Sequence, residues 1–434
     1  MKTFAYSLMT IVFVLVALVL FLWVRSQPAI TMTPASGPVS TARQLQMTLK
    51  APSGGLRNVT AFVQQGEIKA NVLVKDYPGD SRESVETVDL SQAALQDGPF
   101  TLQIKAKASL YKYSGRTTSQ IHSFTLDTTP PAVAVLTTAH NIIKGGAGLV
   151  IYTASNDVER TGVVFGDRFV PGYLQEGERY ACLFPFPYNM ENDKFVPRVV
   201  AIDKAGNERM AGINFHLLIK PFSTDRINLS DSFLEKVSSE FKNKFPQAQT
   251  PLEIFLKANG EMRAQNIKSL YEHGRKTSPK PLWQGVFVRM PNAAPLGGFA
   301  QTRIYLRNGE KVDQQDHLGF DLASVVHAPV PAANNGTVVL AGDFGIYGQT
   351  VIIDHGLGLQ TLYGHLSRMA IKAGDKIEKG QIIGNTGATG MAAGDHLHFG
   401  VLISGQEVSP VEWWDPSWIK NNVSDKLNIS DSAK

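Results

Sequence analysis

At 434 residues the chain is too long for one ordinary domain, and about 150 residues per domain suggests about three. Hydrophobic content of 43%, charged content of 18% and a net charge of +4 are ordinary for globular material, with no basic stripe of the kind that binds nucleic acid. The single cysteine, Cys182, excludes an intramolecular disulfide and a cysteine zinc cluster; between Ala181 and Leu183 it reads as a small buried residue.

The chain opens on an uncharged run from Phe4 to Val24. At about 1.5 Å per residue such a run spans a hydrocarbon core of roughly 30 Å. A cleavable signal has a shorter apolar region and a small-residue cleavage site, whereas Trp23-Val24-Arg25 follows here. Residues 1–26 are therefore expected to form an uncleaved membrane anchor. Lys2 and Arg25 flank it on opposite sides, so charge alone orients it weakly.

Residues 27–40, rich in Pro, Thr, Ser and Ala, read as a linker. Two β-rich blocks follow, 41–128 and 129–220. In the first, Phe100, Leu102, Ile104 and Ala106 alternate with polar residues, as in a half-buried strand. Asp127-Thr128-Thr129-Pro130-Pro131 closes it as a joint, since two prolines do not fit a central strand. The second block ends with a Val199–Ile202 strand, an Asp203–Asn207 turn and the alternation Ile213, Phe215, Leu217, Ile219. Both endings resemble bacterial immunoglobulin-like domains, and each block has the size of a small sandwich. A spacer role is their simplest reading.

The period changes over 221–280. Phe233, Val237 and Phe241 share a helical face, with Ser232 and Glu235 as a possible capping box. Thr250-Pro251-Leu252-Glu253 is a stronger helix start. A helical hairpin is expected there. From 281 to 420 glycines punctuate short strands, clearest at 338–340, 350–353, 360–363, 382–383 and 397–403. Trp413, Trp414 and Trp418 are expected to pack the end of this domain. The polar tail 421–434 reads as disordered. The fold class is mainly β: anchor, two sandwich modules, a short helical region and an antiparallel C-terminal domain.

Chemistry concentrates in that last domain, where six of the ten histidines fall between 317 and 398. His396-Leu397-His398 places two imidazoles on one face of a strand. His317 and Asp321, four apart, also share a face, and His365 lies between them in Tyr363-Gly364-His365-Leu366. Two imidazoles and a carboxylate, with a fourth position left to water, form a catalytic zinc ligand set. His355 and His327 read as structural, Tyr363 as either core or cleft.

Residues 283–419 resemble the lysostaphin-type (LytM-like) zinc endopeptidases, which cleave peptide bridges in bacterial peptidoglycan. The segments 298–303, 317–323, 328–332, 351–356, 363–367, 384–390 and 396–399 carry the likeness. It implies one Zn²⁺ per chain, held by His317, Asp321 and His398. It implies catalytic roles for His396 and His365, which flank the metal-bound water; sequence does not divide the work between them, and we assign His396 to water activation and His365 to oxyanion or proton work. Asp395 departs from the small residue or proline common in relatives.

The resemblance also implies an envelope enzyme: inner membrane through the N-terminal helix, N-terminus cytoplasmic, catalytic domain in a Gram-negative periplasm, stem peptides of peptidoglycan as substrate. The alternative is a non-catalytic regulator or scaffold on the same fold that activates a cell-wall amidase; such relatives typically lack the metal ligands.

Overall fold

The structure, a computed structural model, describes residues 12–14, 27–51, 54–110 and 114–429. Among them no helix is long and apolar enough to cross a membrane. The anchor expected over residues 1–26 lies outside the described residues, apart from helical residues 12–14. The chain divides into two compact units. One comprises residues up to 131 with 156–159 and 202–209, and the other holds the remainder.

The first unit carries a three-stranded sheet, ordered Ala29–Thr33, Leu45–Lys50, Glu83–Val88, and a five-stranded one. The latter runs Gly37–Val39, Ser114–Leu126, Gly98–Leu110, Leu56–Gln65, Ile68–Asp76. Phe100, Leu102, Ile104 and Ala106 are buried as their alternation predicts. The linker expected at 27–40 is corrected: Ala29–Thr33 pairs antiparallel with Leu45–Lys50, burying Ile30 and Met32. Threonine is at home in strands, and the Ile30/Met32 alternation outweighs the loop-like composition.

In the second block two four-stranded sheets span 133–212. Tyr152, Phe165, Phe184, Phe186 and Phe195 fill their core, and Cys182 lies among them, fully buried.

The helical region begins with a strand, Thr224–Asn228, which pairs in parallel with Gln301–Arg307 of the C-terminal domain. Three helices follow: α1 (Asp231–Phe241), α2 (Pro251–Lys257) and α3 (Arg263–Gly274), the last two joined by one π-helical stretch, Ala258–Met262. α1 is capped by Ser230, whose side chain accepts from Phe233 N, not by Ser232. Thr250 caps α2 as its sequence predicts.

The C-terminal domain is built on a sheet ordered Ala294–Gly297, Phe320–Ala323, Leu397–Ile403, Leu359–Gly364, Gln349–Gly356, Gly336–Asp343, Lys376–Ile377. Neighbours along it are antiparallel. Because side chains alternate across a strand, Leu397–Ile403 feeds two cores. Leu397, Phe399, Val401 and Ile403 join the cluster closed by Trp413. Leu402 faces the other way, with Leu362 and Ile352, into the cluster made by the three helices. His398 shares the face of Leu402, so the helices cover the face that presents it.

The disordered tail expected over 421–434 is corrected in part. Residues 420–427 are helical and bury Val423. Ile419, Val423 and Leu427 are four apart, an apolar row that the polar composition conceals. Residues 430–434 lie outside the described ones.

Candidate active site

Antiparallel register builds the site. Asp321 stands directly opposite His398, and His398 directly opposite Gly364 on its other side. Opposed residues share a face with closely spaced side chains. His317 ends its strand four residues before Asp321, and the link between them passes through Gly319. A Cβ on Gly319 would fall 2.3 Å from His398 Cε1 and Nε2. Only glycine lets the chain pass this close to the imidazole.

The structure brings His317, Asp321 and His398 together. His317 Nε2 is 3.0 Å from Asp321 Oδ1 and 3.0 Å from His398 Nδ1, and His398 Nδ1 is 3.0 Å from Asp321 Oδ1. All three residues are buried. His317 Nδ1 faces the Gly298 carbonyl at 2.9 Å. A carbonyl only accepts, so that nitrogen carries the proton and Nε2 offers its lone pair to the centre. Arg303 Nη2 donates to Asp321 Oδ2 at 2.7 Å, leaving Oδ1 to the histidines. Three electron-rich atoms held this close repel one another unless a cation or proton lies among them. The donors therefore fit a metal ion, and they form a buried group of the kind that holds one.

His396 and His365 lie beside this triangle. Their rings are 4.9 Å apart, and His396 Nε2 is 3.6 Å from Asp321 Oδ1. Each donates through Nδ1 to a carbonyl at 2.8 Å, Gly394 for His396 and Thr389 for His365. His365 adopts φ +63°, a left-handed backbone uncommon outside glycine. Burial alone would raise Asp321, but the surrounding imidazoles outweigh it and hold the carboxyl well below its usual range. Burial takes His398 down to about 4 and, aided by His396, holds His365 well below normal. Burial also depresses His396, but the Asp321 carboxylate more than offsets it.

The group opens into a cleft of about 500 Å³. Arg303, Tyr305 and Tyr347 line it from the β domain, and Phe233, Phe255 and Arg263 from the helices. α1 also grips the rim: Lys236 Nζ donates to the Ala388 and Ala392 carbonyls, and Glu240 Oε1 accepts from Gly390 N at 2.6 Å. That loop contains Thr389, whose carbonyl orients His365.

Sequence reasoning gave Arg303, Tyr347, Lys236 and Arg263 no role. Arg303 falls within the segment 298–303, but its bond to Asp321 arises from tertiary packing that spacing does not reveal. Asp395 is structural: it accepts from Thr386 Oγ1 at 2.6 Å and from His327 N at 3.2 Å. His355 is a buried hairpin residue bonded to the Asn335 carbonyl and Thr361. Tyr363 belongs to the core, its hydroxyl bonded to Ala333 N and Thr361.

The β domain thus holds, beside a cleft, a buried His–Asp–His group of the kind that holds a metal ion. Residues 315–410 match the model of Peptidase family M23, the lysostaphin/LytM type. The chain is 41% identical over 95 residues to "DD-carboxypeptidase/endopeptidase Mpg" of Neisseria meningitidis, a match covering 22% of each. It is 36% identical over 96 residues to "Peptidoglycan DD-endopeptidase ShyA" of Vibrio cholerae, again covering 22% of each. These matches thus span about a fifth of either relative. Among solved structures, the catalytic domain of lysostaphin from Staphylococcus simulans is similar at 28% identity, over 28% of this chain and 92% of that one, with TM-score 0.24.

Proposed function

We propose that this protein is a zinc metalloendopeptidase that hydrolyses the peptide cross-links of bacterial peptidoglycan. The observation that carries the reading is the His317–Asp321–His398 triangle with two further histidines on the same cleft. An intact set of five favours catalysis over the regulator reading. Two imidazoles and one carboxylate suit zinc. When bound, zinc would polarise the scissile carbonyl and acidify the attacking water. His396 takes the proton of that water at Nε2. His365, with Nδ1 committed to Thr389, exchanges protons through Nε2 and serves the oxyanion or the leaving amine. Arg303 holds Asp321 Oδ2 and so leaves Oδ1 turned toward the histidines.

Glycan cleavage usually needs two carboxylates across the bond, and Asp321 is engaged by Arg303 and the imidazoles. The names of the relatives, which call them DD-endopeptidases, favour a D,D bond, and we take it to be the D-alanyl bond to diaminopimelate in cross-linked stems. We place the enzyme in a Gram-negative envelope, anchored in the inner membrane by residues 1–26 with the catalytic domain in the periplasm. Digestion of purified sacculi, read by mass spectrometry, tests the reading. Cross-linked dimers should become monomers with glycan strands intact, and chelator should stop the conversion. Released sugar ends with unchanged cross-links would overturn it.

A further inference from the structure

A second hollow, of about 750 Å³, lies in the same compact unit and shares no lining residue with the catalytic cleft. Arg160, Arg168 and Arg275 line it, and no aspartate or glutamate does. Among the described residues none of the three arginines pairs with a carboxylate. Arg160 stacks on the Phe169 ring at 3.6 Å. Arg168 donates to two neutral oxygens, Tyr271 Oη and Gln406 Oε1. The buried carboxyl of Glu407 feels Arg168 without bonding to it, and burial lifts it to about 7.

The floor is built in advance. A Cβ on Gly274 would fall 2.3 Å from Gly405 N, and one on Gly405 2.5 Å from Tyr271 Cα. The end of α3 and the turn at Ser404–Gly405 are thus in direct backbone contact. Phe169, Tyr173 and Tyr271 supply aromatic walls between the cations.

We infer that this hollow binds a carboxylate-bearing peptide, namely a peptidoglycan stem other than the one being cut. This rests on the reading of the substrate given above. Guanidiniums without a carboxylate partner in a preformed hollow select an oxyanion and can grip a carboxylate with two parallel bonds. The volume and the aromatic walls exceed what a small inorganic anion fills, and they suit a ligand that alternates carboxylates with methyl groups. The geometry supports a link to catalysis. α3 carries Arg263 into the cleft at one end and reaches Gly274 and Arg275 in the hollow at the other, about 18 Å away at 1.5 Å per residue. A stem held here would keep a wall strand beside the cleft between cuts.

The test is calorimetric titration of the full chain with purified, un-cross-linked disaccharide-tetrapeptide, with its fully amidated form, and with inorganic phosphate. The acid form should bind, and Arg160→Gln combined with Arg275→Gln should weaken it at least about tenfold. A melting curve checks that the double variant folds, and Arg275→Gln alone, at an exposed position, should still weaken binding. Unchanged binding in the variants, equal binding of the amidated peptide, or phosphate binding as tightly as the peptide would each overturn the inference. Arginine-dependent binding by a chain that cuts no cross-link would sink the proposed activity and leave the hollow standing.

Discussion

Single atoms decide this site. Gly319 is the clearest case, because a methyl group there would overlap His398. Gly319→Ala should displace that imidazole and lower metal content and cross-link hydrolysis together, the latter by about 10²-fold for a misplacement of about 1 Å. Metal analysis beside a melting curve checks it, and full metal content with full activity would refute it. His365→Ala should behave differently. Its Nδ1 is held by Thr389, and it is not one of the three atoms of the triangle. We expect metal retention with a loss of turnover of about 10²–10⁴-fold, as for lost acid–base chemistry. Loss of metal would mean that the ligands are misassigned.

At the scale of elements, the helical region is part of the catalytic wall. Lys236 and Glu240 hold the loop that orients His365. Lys236→Met should lower kcat more than it raises KM, with metal retained, and Lys236→Arg should restore part of it. Steady-state kinetics on a soluble cross-linked dimer separates these effects. The same element shows how much could be read from sequence. Histidines two apart in a strand, and a His and Asp four apart, announce themselves by spacing, because strand geometry fixes their faces. Lys236, Arg263 and Arg303 do not. The partners of Lys236 and Arg303 lie 152 and 18 positions away, Arg263 bonds to Asn259 on its own helical stretch and reaches the cleft only through tertiary packing, and ordinary surface cations look identical in sequence. Composition misled twice, at Ala29–Thr33 and at 420–427, where a short apolar alternation or row sat in polar surroundings. The cap of α1 moved by two residues because Ser230 and Ser232 are chemically equivalent.

On the scale of the whole molecule, stability should depend on pH through a buried acid. Glu412 accepts from Ala147 N at 3.1 Å, and its other oxygen has no partner. Burial raises it from 4.5 to about 8. The folded chain therefore keeps this proton while the unfolded chain releases it. Below about pH 4.5 both states are protonated and the group is neutral in its effect. Stability then falls as pH rises toward 8, by a few kcal/mol at most. Glu412→Gln should flatten that loss, raising the unfolding midpoint at pH 8 while leaving it nearly unchanged near pH 4. Equal shifts at both pH values would argue against a protonated Glu412. The proposed anchor is tested separately: a chain starting at Gln27 should be soluble, and recovery of the native protein in the soluble periplasmic fraction would point to a cleaved signal.

The central claim is that His317, Asp321 and His398 hold one catalytic metal ion. Elemental analysis of the purified chain and of His398→Ala tests it most directly. We expect about one zinc per wild-type chain, falling sharply in the variant, because water replacing an imidazole weakens the site. Equal zinc in both proteins would contradict the assignment.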